Sequence, residues 1–320
     1  MSKVDRNNPK RSTASESSYS LMEFMRDFPD DAACLDFLWR ERYAEDGSHA
    51  FCPKCERERK FHRVKSRPSY SCDTCGKHLH PTAGTIYHRS ATSLHLWFYA
   101  AYLMTSTRCG ISAKQLEREL GVGYKTAWRM ANLIRNELMT QDDEPPLSGE
   151  VEADETWIGG KPSAGDTARA KKARRFPSDR RGYAIKPKTS VFAAIERSGR
   201  VKATVIPNSS AVTLGKVVRE YVLPEARLIT DELPSYNAVG LEYFRHDRIN
   251  HGMKVYVSGD VHTNTVEGFF GNLKRGIGGN YHAVSPKWLQ GYLNEYVWRY
   301  NHRRDKRAMF LTLVARSASA

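Results

Sequence analysis

No stretch of this chain is long and apolar enough to cross a bilayer. The longest run, Leu96–Met104 (LWFYAAYLM), has nine residues, where a span needs about 20. The first twenty residues, MSKVDRNNPKRSTASESSYS, hold no apolar core of the kind a secretory leader carries, so export is not expected. Acidic side chains are in short supply: 36 Asp and Glu against 50 Lys and Arg leave +14 at neutral pH. That imbalance points to a polyanionic partner, nucleic acid first and an anionic membrane surface second. Cysteine is sparse as well, with six among 320 residues. In the reducing cytoplasm expected here, thiols read as metal ligands or buried groups before disulfides. There is no internal repeat.

What is present suffices for about two domains. Apolar residues at 40% and charged residues at 27% exclude a wholly disordered chain. Residues 1–20 read as a polar tail, and 21–46 as short amphipathic helices. Residues 47–92 lose helical periodicity and gain cysteine, and 93–140 become helical again. A Pro-containing linker follows at 141–149. Residues 150–305 alternate β-branched runs with helices, and 306–320 read as a second tail.

Within the cysteine-rich segment, Cys52-Pro-Lys-Cys55 and Cys72-Asp-Thr-Cys75 are two C-x2-C pairs sixteen residues apart. Each pair is a short turn that aims two thiolates at one ion. Two such turns close a tetrahedron with no open position, which is a structural zinc site. His78, His80 and His88 are possible substitute ligands, and Cys34 and Cys109 read as core thiols.

Ser112-Ala-Lys-Gln115 is a capping box that starts a helix, and Gly121 stops it. A second helix over 124–138 places Ala127, Met130, Ala131, Ile134 and Leu138 inward. Tyr124, Lys125, Thr126, Arg129 and Arg135 are then expected outside. Two helices joined by a tight turn, the second opening on polar and basic residues, suit the major groove of DNA. An ordinary helical hairpin has the same pattern.

In the second half, strands are expected at 150–158, 189–195, 201–206, 227–230 and 243–249, with a helix at 211–222. A hairpin followed by β-α-β implies a mixed sheet flanked by helices. Asp154 falls within the first strand, Asp231 at the end of the fourth, and Glu267 in the first turn of a helix. Converging at one sheet edge, three carboxylates repel unless cations separate them, and hard oxygen donors suit Mg²⁺ or Mn²⁺. Two such ions activate an attacking oxygen and stabilise a leaving one. Each acid has a plainer reading. Asp154 can be one surface acid beside Glu152 and Glu155, Asp231 can cap the next helix, and Asn264-Thr-Val-Glu267 can be a capping box. Lys274 lies two helical turns beyond Glu267, next to Arg275, where it can grip a DNA strand. Between the first two strands, 161–188 carries ten Lys and Arg against two Asp. Lys171, Lys172, Arg174 and Arg175 make it a candidate phosphate-contacting arm.

Taken together, CPKC…CDTCG, GTIYHRSATSLHLWFYAAYLM, GISAKQLERELGVGYKTAWRM, VEADETWIGG, LITDELPSY and VHTNTVEGFFGNLKRGIGGNYHAVS resemble one family. The chain is similar over roughly 20–305 to the ISXO-type DDE transposases of bacterial insertion sequences, which carry an N-terminal zinc ribbon. The resemblance implies an α/β multidomain protein with a zinc ribbon, a helix-turn-helix and an RNase-H-like catalytic domain. It also implies a DDE triad at Asp154, Asp231 and Glu267 holding two Mg²⁺ or Mn²⁺, with Lys274 as the trailing basic residue. Some members carry Asn at the third acidic position, which draws attention to Asn264; His262 can orient substrate or simply pack. The expected activity is cleavage at terminal inverted repeats and strand transfer into target DNA, by an oligomer acting on the nucleoid. A DNA-binding regulator with an inactive second domain, or a nuclease that never joins ends, are the rival expectations.

Overall fold

The structure, a computed structural model, describes residues 19–107, 109–141, 144–159, 188–197, 199–249 and 261–319. The chain divides into two compact units, Met1–Met139 with His302–Ala320, and Thr140–Asn301.

The first unit opens with α1 (Leu21–Asp27), started by a reciprocal Ser20–Glu23 capping box, and α2 (Asp31–Arg42), capped by Asp30. Four antiparallel strands follow: β1 (His49–Cys52), β2 (Arg57–Val64), β3 (Ser69–Cys72) and β4 (His78–Leu79). So small a sheet buries little by itself. Its apolar face is covered by α2, whose Trp39 stacks on Tyr70 with ring centroids 4.0 Å apart. Three helices come next: α3 (Leu94–Ser106), α4 (Ala113–Leu120) and α5 (Tyr124–Leu133). The last widens into a π turn at Ile134–Leu138. Ala127, Met130, Ala131, Ile134 and Leu138 are all buried, as the periodicity requires.

Arg135 departs from expectation. It is 2% exposed, and its guanidinium donates to the Ile111 carbonyl at 3.3 Å. By position it lies one turn beyond buried Ala131, at the edge of the apolar face, and it is its charge that makes it read as exposed. Cys34 is a core thiol, but Cys109 is exposed, in the loop before α4.

The second unit holds β5 (Glu150–Ile158), β6 (Thr189–Glu196), β7 (Val201–Ile206), α6 (Ala211–Tyr221), β8 (Arg227–Asp231), the short α7 (Asn237–Gly240), β9 (Arg245–Ile249), α8 (Asn264–Gly276) and α9 (Leu289–Asn301). The sheet order is β7-β6-β5-β8-β9. Strands β5, β6 and β7 are antiparallel, while β8 and β9 run parallel to β5. Both faces are covered, so β6 is a continuous apolar run. One face buries Val151, Ala153 and Phe192 under Leu214 and Val218 of α6. The other buries Val191, Ala193 and Val201 under Phe269 and Leu273 of α8 and Leu293 of α9. The final strand begins at Arg245 and not at 243, because the Tyr243 hydroxyl is spent on the Val218 and Val222 carbonyls at the end of α6.

Two segments expected to be loose are structured. In the stretch 141–149, the Gln141 side chain bonds the backbone of Ala203 and Leu147 is fully buried. The expected C-terminal tail forms α10 (Met309–Ser319), which belongs to the first unit. Phe310, Leu313 and Val314 are buried there, with the Phe310 ring 5.5 Å from Phe24.

Candidate functional site

Asp154 and Asp231 sit on adjacent parallel strands. The ladder pairs Glu150 with Arg227 and ends at Glu152 with Ile229; the same register continued two residues would set Asp154 level with Asp231. Alternation along β5 puts Glu152 and Asp154 on the face covered by α8, because Asp154 pairs with Ala193 of that core. Glu267 is exposed in the first turn of α8 and accepts the Thr263 hydroxyl at 3.0 Å. Burial pushes the Asp154 carboxyl up to about 8, and the charges of Glu155, Asp231 and Glu267 add to that, against the Glu155 amide that donates to it. Three carboxylates on different elements therefore feel one another. Their oxygens do not close to ligand spacing: among the described residues, the group of potential ligands with all donor atoms within 4.8 Å is the four cysteines.

Asp154 is not one of several surface acids. Glu152 is fully buried and Glu155 nearly so. Glu155 faces the α6 side, where it accepts the Tyr236 hydroxyl at 2.6 Å; burial raises its pKa and, beyond that hydrogen bond, the Asp231 charge raises it further. Asp231 accepts the Leu233 amide at 3.0 Å in a local turn, but it does not cap the next helix: the 3-10 turn Pro234–Tyr236 has Leu233 as its cap residue and no side-chain cap.

Glu152 holds the N-terminus of α8. Its carboxylate accepts the amides of Thr265 and Val266 at 2.8 and 3.2 Å and the Thr265 hydroxyl at 2.9 Å. Arg197, in the turn after β6, donates to it at 2.9 Å, and His262 Nδ1 lies 3.2 Å away. A negative charge at a helix N-terminus satisfies orphan amides and meets the positive end of the dipole. The capping-box reading of Asn264–Glu267 is thereby replaced: Thr263 is the cap residue, Asn264 is exposed in the first turn, and the capping carboxylate comes from β5. His262 packs against Glu152. Neither Glu152 nor Arg197 is singled out by sequence reasoning; the available signal was an acid at the same strand parity as Asp154.

Lys274 and Arg275 are exposed in the last turn of α8. Lys171, Lys172, Arg174 and Arg175 lie outside the described residues.

In the first unit, the four cysteine sulfurs form the compact group noted above, with Cys52 and Cys75 3.5 Å apart. Tetrahedral Zn–S bonds of about 2.3 Å require sulfurs just under 4 Å apart, so the donor set fits zinc. Both knuckles share one backbone device. The residue after the second cysteine turns left-handed, Glu56 at φ 53° and Gly76 at φ 68°. Its amide returns to the first cysteine's carbonyl, at 2.8 and 3.1 Å. Burial disfavours the Cys52 thiolate, but the amides of Cys55 and Lys54 outweigh it and hold the thiol down to about 7. His78 instead lies 3.2 Å from the Ser69 hydroxyl.

Ser112 caps α4 through the Gln115 amide, and Gly121 ends it at φ 64°. At the start of α5, Tyr124, Lys125 and Arg129 are exposed, and the Lys114 ammonium lies over the Tyr124 ring.

Comparison with known proteins points the same way. Residues 146–301 match the ISXO2-like transposase domain. A protein in transposable element ISH50 of Halobacterium salinarum is 28% identical over 256 residues, spanning 78% of this chain and 84% of that relative. A transposase-like protein of Haemophilus influenzae is 29% identical over 107 residues, 33% of this chain and 85% of the relative. Over residues 146–301 the chain is thus similar to insertion-sequence transposases, a likeness that points to DNA as a partner. No helix among the described residues is long and apolar enough to cross a membrane.

Proposed function

We propose that this chain is a transposase that cleaves DNA at the terminal inverted repeats of its element and joins the freed ends to target DNA, using Asp154, Asp231 and Glu267 as a DDE triad. The observation that carries this reading is the parallel pairing of β5 with β8, whose register, continued two residues past Glu152 and Ile229, aligns Asp154 with Asp231 near the helix that bears the third acid. The sheet order, with three antiparallel strands followed by two parallel ones, agrees with an RNase-H-like domain.

The donor chemistry fits Mg²⁺ or Mn²⁺: all three groups offer hard oxygens, and the Asp154 pKa, raised by burial and further by the charges of Glu155, Asp231 and Glu267, is one that a divalent cation would lower. Such ions, when held, lower the barrier to in-line displacement at a phosphodiester by neutralising developing charge on the oxygens. The chain's own part is positioning. Asp154 and Asp231 are fixed by the sheet, and Glu267 by the anchoring of α8 on Glu152. Lys274 and Arg275 meet phosphates along the same helix. Hydrolysis leaves a 3′-hydroxyl, which then displaces a target phosphodiester; one P–O bond forms as one breaks, so no protein-linked intermediate is required. Tyr124, Lys125 and Arg129 of α5 read the repeats in the major groove, while the zinc knuckles hold the ribbon beside α2. Since two ends must be paired, the working form is an oligomer on DNA.

The test is Asp154→Asn on an element-end duplex with Mg²⁺. Cleavage is expected to fall by about three orders of magnitude with duplex affinity unchanged. Retained cleavage defeats the triad. Pre-cleaved ends then distinguish a transposase, which joins them, from a nuclease, which does not.

A further inference from the structure

In the first unit, a cleft of about 550 Å³ opens between the β2–β3 tip and the chain that enters α3. Its charged lining is one-sided: Arg63, Lys65, Arg67 and Arg89 against Asp31. The acid is already engaged, because its Oδ1 accepts the His95 amide at 2.7 Å. Arg63 is engaged too, donating to the carbonyls of Val64, Arg67 and Ser69, and so ties the hairpin tip to itself. Lys65 and Arg67 consequently project from a braced turn. Across the cleft, Arg89 is held at φ 52°, a left-handed conformation that side-chain-bearing residues adopt only where the surroundings enforce it. Among the described residues, no ion pair or hydrogen bond engages the side chains of Lys65, Arg67 or Arg89, and all three are exposed.

We infer that this cleft binds the phosphodiester backbone of duplex DNA, with Lys65, Arg67 and Arg89 each meeting a phosphate. The inference rests on the reading that the chain acts on DNA, and it assigns to the ribbon a contact separate from α5. Backbone contact is favoured over base reading by the lining itself. The aromatic residues there, Tyr87 and Trp97, are buried at 4% and 1% exposure and offer no stacking platform. No Asn or Gln is present to pair with adenine, and an arginine reading guanine would alter the preference between duplexes that the experiment follows. What remains is cations and hydroxyls, the usual partners of phosphate. The cations stand at an open rim, which suits a continuous polyanion and not a small anion that must be enclosed.

The experiment uses the full chain without Mg²⁺ and titrates a fluorescent random-sequence duplex across a salt series. Neutralising all three positions (Lys65→Gln, Arg67→Gln, Arg89→Gln) is expected to weaken binding at least about tenfold. It should also lower the slope of log affinity against log salt by about 2 to 3, since each phosphate contact contributes about 0.9. Preference for element-end over random duplex should not change. Zinc content and melting temperature check the fold. If the triple variant loses zinc, Lys65→Gln alone should still lower the slope by about 0.9. Unchanged slope and affinity overturn the assignment, as does a loss seen with a parallel titration of the same sequence as a single strand but not with the duplex. A wild-type chain that binds no duplex at all overturns the underlying reading as well, whereas a cleaving, binding chain indifferent to these variants overturns the cleft alone.

Discussion

At Asp154, the environment of one carboxyl makes folding itself sensitive to pH. The group ionises near 3.8 in an unfolded chain and near 8 in the folded one, because burial and then the surrounding carboxylates disfavour its charge. Between those values the unfolded chain has released a proton that the folded chain keeps. Its contribution to stability therefore declines as pH rises from about 4 to about 8 and is level outside that window. In chelator, Asp154→Asn is expected to melt above wild type at pH 8, by an amount worth a few kcal/mol, on the order of what such a shift carries. The gap should narrow at pH 5, and Mg²⁺ should raise only the wild-type midpoint. A wild-type midpoint insensitive to pH in chelator contradicts this. Glu56 offers a second residue-scale test. It occupies the left-handed position that its sister knuckle gives to Gly76. Glu56→Gly should stabilise the first unit by about 1 kcal/mol, read as a higher urea midpoint, because the steric cost of φ > 0 disappears.

Elements are held in place by groups distant in sequence, and Glu152 is the clearest of these. Glu152→Ala strands two helix amides and the Arg197 guanidinium, a loss of about 3 kcal/mol for a buried charged network. Cleavage should fall further than the melting shift explains, because Glu267 rides on the released turn. Glu152→Asp, which restores charge but not reach, should recover melting temperature more than activity; equal recovery of both would make the role purely structural. Sequence reasoning finds β5, β7 and α4 with nearly their observed bounds, since β-branched runs and the Ser112 capping box are local signals. It also pairs the four cysteines that the fold brings together and places Asp154 and Asp231 on the strands where they lie. Glu152 is illegible because its partner amides lie more than a hundred residues on. Arg135 is misjudged because its charge suggests solvent, while its guanidinium is satisfied by the Ile111 carbonyl, a partner 24 residues earlier. The helix α10 is misread as a tail because its apolar face gains meaning only from the Phe24 and Phe98 cluster it completes.

Across the whole molecule, the two units should respond separately to perturbation. Removing zinc with a strong chelator is expected to abolish the melting transition of Met1–Met139 with His302–Ala320 and leave that of Thr140–Asn301 in place. Structural zinc contributes on the order of 10 kcal/mol to such folds. Elemental analysis should find one zinc per chain, and much less would remove the ribbon. Phe310→Ala should cost about 3 to 5 kcal/mol and act on the same transition, since its ring lies 5.5 Å from Phe24 and 5.6 Å from Phe28.

The position of α10 also sets an order of events at the ribosome. The N-terminal unit cannot close its aromatic core until Met309–Ser319 has emerged, by which time all of Thr140–Asn301 has been synthesised. Translation that stops early, at a nonsense codon or a frameshift, therefore yields a polypeptide whose first unit lacks its final brace. Shortened products of this kind would not supply a well-folded copy of that unit to compete with the intact chain.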